Sequence, residues 1–176
     1  MKALVYTDTL ELQFREEPDP RVPHDEVLVE IEAVGICGSD MHAYHGKDAR
    51  RVPPLILGHE AAGIVKNGRY AGKRVVLNPL ITCGHCTFCL DGRSNLCTHR
   101  ELIGMRRAGA FAQYIAIPER NLLKIPGNMD AITASLTEPA ATSLHAIYLA
   151  ERIAHRPLSE FRTLILGGGS IGVFAA

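Results

Sequence analysis

The chain has 176 residues, 47% of them hydrophobic, enough to bury one good core and part of a second domain. Lys plus Arg equals Asp plus Glu at 19 each, so the net charge is zero, which argues against nucleic acid or an anionic membrane as the main partner. No apolar run, that around Thr163–Leu166 included, is long enough to span a bilayer, and Asp8 comes too early for a signal peptide, so the expected location is the cytoplasm.

The first 125 residues read as short strands broken by turn signals. Lys2–Tyr6, Leu10–Phe14 and Val27–Val34 alternate or run apolar, with Pro18, Pro20 and Pro23 between the last two. Ile64–Lys66 and Arg74–Leu77 flank a short Gly/Asn connection, as a hairpin would, and Phe111–Ile117 and Leu122–Ile125 supply two more strands. So many strands at short spacing predict a barrel or sandwich, not a βαβ array. After Pro126 the texture changes. Asp130–Leu136 and Ala140–Arg152 carry helical periodicity, and Pro139 suits a helix's first turn. Phe161–Leu166 then reads as a strand, followed at once by Gly167-Gly168-Gly169-Ser170-Ile171-Gly172.

Four of the five cysteines, Cys83, Cys86, Cys89 and Cys97, form a C-x2-C-x2-C-x7-C window. Four thiolates converging from one loop can close a tetrahedral site around a soft divalent metal. A disulfide framework suits an oxidising compartment that nothing here signals. An iron–sulfur cluster is the rival, but bacterial ferredoxins use a different last gap and a following proline, where this chain has Thr98. His85 and His99 flank the window as bystanders, since four thiolates already complete a tetrahedron.

Cys37 lies apart, in Gly35-Ile36-Cys37-Gly38-Ser39-Asp40-Met41-His42, and Gly58-His59-Glu60 offers further zinc-ligand types. One sulfur-only closed site and one mixed open site differ as structural and catalytic zinc differ. Gly167, Gly169 and Gly172 fit G-x-G-x-x-G after a predicted strand and before an apolar stretch, the context in which glycine lets the backbone approach a pyrophosphate at a helix N-terminus. Arg106 and Arg107 read as solvated loop charge.

Together these motifs, with Thr137-Glu138-Pro139, resemble the zinc-dependent medium-chain alcohol and polyol dehydrogenases, in the family's order and over most of the chain. The resemblance implies a mainly β chain. A GroES-like β-barrel catalytic domain over 1–126 would include a structural-zinc lobe at 78–100. Connecting helices would follow over 127–158, then the first strand and turn of a Rossmann domain over 159–176.

In that family's pattern Cys37 and His59 bind a catalytic zinc, with Glu60 and Glu138 as the carboxylate candidates for a third position. Glutamate at 138 points to the polyol branch, that of sorbitol and threonine dehydrogenases. Asp40 would hold the His59 imidazole, Ser39 would touch the substrate hydroxyl, and His42 would pass its proton to solvent. Cys83, Cys86, Cys89 and Cys97 would hold a structural zinc; Gly167, Gly169 and Gly172 would bind NAD or NADP. The expected reaction is hydride transfer between a secondary alcohol or polyol and NAD(P), by a homodimer or homotetramer. A βα fingerprint with no further units predicts the N-terminal part of a longer enzyme, inactive alone. The link between Ile64 and Arg74 is shorter than the family's usual connection. The alternative is a stand-alone GroES-like zinc-binding interaction module without catalysis.

Overall fold

A computed structural model describes residues 1–176, the side chain of Leu158 excepted. In chain order the elements are β1 Lys2–Asp8, β2 Glu11–Glu16, β3 Glu26–Gly35, α1 Gly38–Tyr44, β4 Leu55–Ile56, β5 Glu60–Val65, β6 Arg74–Leu77 and β7 Leu80–Ile81. Then come α2 Thr87–Leu90, β8 Glu101–Leu102, β9 Tyr114–Pro118, β10 Leu122–Lys124, α3 Ala131–Ser135, α4 Thr137–Ala154 and α5 Ser170–Ala175. The chain divides into two compact units, Met1–Ser135 and Leu136–Ala176.

The first unit is predominantly β. Its main sheet has five strands in the order β10-β6-β5-β3-β9, and every neighbouring pair is antiparallel. Period-two alternation explains its core: Val27 and Val29 of β3 point inward with Val65, Val75, Ile115 and Ile117, all buried. The expected hairpin is β5–β6, with Gly63 opposite Val75. A second sheet, β2-β1-β4, is joined to the first through the segment predicted as one strand over 111–117. That segment is split. Phe111 accepts a hydrogen bond from the Leu4 N–H at 2.8 Å, and pairing with β3 begins only at Tyr114. One strand serving two sheets turns the corner between them.

In the second unit α4 packs against α5, and the buried Ser143 hydroxyl donates to the Ile171 carbonyl at 2.9 Å. The expected strand over Phe161–Leu166 does not form a ladder; Leu164 and Leu166 are 80% and 87% exposed. A β-type run becomes a strand only when a neighbour takes up its N–H and C=O groups, and no described residue pairs with this one. No helix among the described residues is long and apolar enough to cross a membrane.

Candidate metal centres

Cys37 caps the N-terminus of α1 in an extended conformation, so its sulfur stands where helix N–H groups are unpaired. Asp40, one turn on and 2% exposed, holds the region together. Its Oδ2 accepts the Cys37 N–H at 3.0 Å; its Oδ1 accepts the Gly58 N–H at 3.4 Å and lies 3.5 Å from His59 Nδ1.

His59 is presented by the turn between β4 and β5. Gly58 there has φ +89°, and a Cβ on it would come within 2.5 Å of the Phe111 ring, so only glycine fits. The Ala110 N–H pins the turn through the Gly58 carbonyl at 2.9 Å. Glu60 opens β5 opposite Gly35 of β3; a side chain at Gly35 would overlap the Glu60 carboxylate. Two glycines thus make room for the two ligand-type residues between them.

The result is one cluster: ligand atoms of Cys37, His59 and Glu60 all lie within 4.8 Å of one another. Burial opposes the imidazolium form of His59, but the Asp40 carboxylate and Cys37 outweigh it and push the imidazole up to about 10. His59 in turn holds the Cys37 thiol below its usual range, against burial and with help from Ser39. Each of the two groups thus favours the charged form of the other. His59 Nδ1 is buried and makes no hydrogen bond. With Nδ1 turned to Asp40, Nε2 is the nitrogen left for a metal, and a metal there would place the proton on Nδ1 against the carboxylate. The donor set of thiol, imidazole and carboxylate fits a divalent ion.

The second cluster joins Cys83, Cys86, Cys89 and Cys97, again within 4.8 Å. The sulfur separations are 3.9 Å for Cys83–Cys89, 3.6 Å for Cys86–Cys89 and 3.6 Å for Cys97–Cys83. A tetrahedron of sulfurs about 2.3 Å from one zinc has edges of about 3.8 Å. The spacing matches one ion, whereas a multi-iron cluster binds each thiolate at a different corner and spreads them. Backbone N–H groups of Cys83 and Cys86 already point at Cys97 and Cys83 Sγ, each at 3.4 Å. The Cys89 N–H draws the Cys86 thiol down to about 6, while burial pushes Cys89 up to about 11. His85 and His99 are exposed; they stack on each other with centroids 6.3 Å apart.

Ser39 and His42 ride on α1 with the cap, Ser39 half-buried and His42 exposed. The structure adds a residue that sequence reasoning missed: Arg51 donates to Ser39 Oγ at 3.1 Å. No spacing rule signals it, because its other anchors are Asp48 and the Gly104 carbonyl, the latter 53 residues away. Arg107 departs from the solvated expectation, since it is bound to the Glu26 carboxylate at 2.8 Å and to Glu101 at 3.5 Å. Glu138 stands in the first turn of α4, in the second unit, with the glycine loop. In that loop Gly167 has φ +108°, Gly169 caps α5, and a side chain on Gly172 would overlap the Gly167 carbonyl. A large apolar cavity of about 770 Å³, lined by Phe14, Val34, Met41 and Phe111 among others, reaches Asp40 but neither Cys37 nor His59.

The sequence pattern of the alcohol dehydrogenase GroES-like domain matches residues 23–127, most of the first unit. The chain belongs to the alcohol dehydrogenase GroES-like domain family. Among curated relatives in this family, the L-threonine 3-dehydrogenase of Bacillus velezensis is 34% identical over 99% of this chain and 52% of its own length. Galactitol-1-phosphate dehydrogenase from Escherichia coli superposes with a TM-score of 0.90 at 31% identity, over 99% of this chain and 51% of that one. A structure from Sinorhizobium meliloti described as a zinc-binding dehydrogenase bound to NADP superposes at 0.83 with 35% identity, with the same coverage. The chain thus spans about half the length of the relatives it matches.

Proposed function

We propose that this chain is the metal-binding catalytic portion of a zinc-dependent, NAD(P)-linked dehydrogenase that interconverts a secondary alcohol or polyol and the corresponding ketone. The observation that carries this is the cluster of Cys37, His59 and Glu60 behind Asp40, in a chain whose family relatives are dehydrogenases. Cys37 and His59 are the assigned ligands of the catalytic zinc. Glu60 or Glu138 completes the set, and Cys83, Cys86, Cys89 and Cys97 hold the structural zinc. Gly167, Gly169 and Gly172 are assigned to the NAD(P) pyrophosphate. When bound, zinc and NAD(P) supply Lewis acidity toward a hydroxyl oxygen and a hydride acceptor.

The chain's own residues handle orientation and protons. Asp40 fixes the imidazole tautomer, and the half-buried Ser39 Oγ accepts the substrate proton as it releases its own. His42, exposed on the same helix, passes it to water. Glutamate at 138 favours polyol-type substrates. A cytoplasmic location and a homodimer or homotetramer belong to the same reading. Elemental analysis of the purified chain tests it. Two zinc ions per chain are expected, one lost in Cys37→Ser and the other in Cys97→Ser; a chain free of transition metal would falsify the assignment. The full coding sequence, assayed with polyols and NAD(P), should show metal-dependent turnover that the stand-alone interaction module would lack.

A further inference from the structure

Arg51 is the one Lys or Arg that is buried among the described residues, at 3% exposed. A guanidinium withdrawn from water must be paired and hydrogen-bonded. Two of its partners meet that need: the Asp48 carboxylate takes Nη1, and the Gly104 carbonyl takes Nε at 2.9 Å. Asp48 also accepts two bonds from Arg50, at 2.8 and 2.9 Å. The third bond, from Nη2, goes to Ser39 Oγ, two residues from Cys37.

A guanidinium has donors only, so Ser39 Oγ must be the acceptor in this contact. That constrains the hydroxyl. One lone pair is committed to Arg51, and the single proton is left for a different direction. A serine in the first turn of a helix otherwise rotates freely and bonds to nearby backbone. Here the rotation is blocked from a station that the chain reaches through Gly104, far away in sequence.

We propose that Arg51 is a positioning residue of the Cys37–His59 centre: by donating to Ser39 Oγ from its anchors on Asp48 and Gly104, it holds the Ser39 hydroxyl in one orientation, with its proton directed away from the guanidinium. The inference rests on the proposed dehydrogenase site for its meaning, but its geometry can be tested without catalysis.

Two measurements on the 176-residue chain separate the possibilities. In the metal-free chain, the Ser39 side-chain coupling constants should report one rotamer, and Arg51→Gln should average them over several. In the chain loaded with cadmium-113, two resonances are expected, one for the all-sulfur lobe and one for the mixed centre. Arg51→Gln and Ser39→Ala should each shift the mixed-centre line, and the double variant should shift it no further than Ser39→Ala alone, because both act through one contact. The lobe line should stay in place. Where Arg51→Gln does not fold, Arg51→Lys serves: it keeps the charge, loses the fork, and should still release the rotamer. An unchanged Ser39 rotamer in a folded Arg51 variant, or shifts that add in the double variant, overturns the inference. Absence of a mixed-centre line in the wild type counts against the dehydrogenase site instead, and the rotamer measurement then decides the role of Arg51 alone.

Discussion

The two cysteine-bearing centres are built on opposite principles. The lobe takes four like donors from one short loop, with two backbone N–H groups already aimed at sulfur; its geometry is local and closed. The centre at Cys37 takes three unlike donors from the N-terminus of α1 and the turn into β5, and depends on residues that donate nothing to a metal: Asp40, Gly35 and Gly58. A closed tetrahedron secures a loop, whereas a mixed, incomplete set leaves room for a reactant. The contrast teaches that metal-site function is written less in the ligands than in what surrounds them.

The comparison can be broken at several points. The largest effect is expected in the lobe, where structural zinc supplies binding free energy on the order of 10 kcal/mol that doubles as folding energy. Cys97→Ser should remove one zinc and unprotect the amides of residues 83–100 to hydrogen exchange, while the Cys37 centre keeps its metal. Loss of both metals together would mean that the centres are not independent. Next comes His59→Ala in the full coding sequence, which should cut turnover by roughly 10²–10⁴-fold, the scale of a lost Lewis acid. It should leave exchange in the lobe untouched; retained activity would refute the site.

A smaller effect follows from Gly35. A methyl there overlaps the Glu60 carboxylate, so Gly35→Ala should weaken zinc at the Cys37 centre by about tenfold, with the lobe unchanged. Chelator competition would measure it; equal affinity would show that the Glu60 position does not matter. The gentlest test is pH. His59 is raised from 6.5 to about 10 in the folded chain, so its ion pair stabilises the metal-free protein fully below about 6.5 and is lost as pH rises through about 10. Zinc must displace that proton. Affinity at this centre should therefore tighten about tenfold per pH unit between roughly pH 7 and 9. A flat profile would mean that His59 is neutral before metal arrives.

Sequence reasoning reached the residues whose chemistry is declared by type and spacing. The four cysteines, Cys37 with Asp40, and His59 beside Glu60 were legible, and so were β1, β3, the β5–β6 hairpin and helix α4, because each carries a strong period or a turn signal. Contacts made across long separations were not. Arg51 reaches Gly104 and Ser39 from a segment with no periodicity, and the Glu26–Arg107 pair spans 81 residues. Phe161–Leu166 failed for the opposite reason: its composition favours a strand, but a strand is a property of two segments. Phe111–Ile117 was read as one element because alternation does not reveal that its ends pair with different sheets.

The central claim, that Cys37 and His59 grip one metal with a position left for a hydroxyl, is tested most directly by X-ray absorption at the zinc edge of the Cys97→Ser chain, in which the lobe is emptied. The account predicts a first shell with one sulfur at about 2.3 Å and nitrogen or oxygen neighbours at about 2.0–2.2 Å. A shell without sulfur, or one made of sulfur alone, would contradict it.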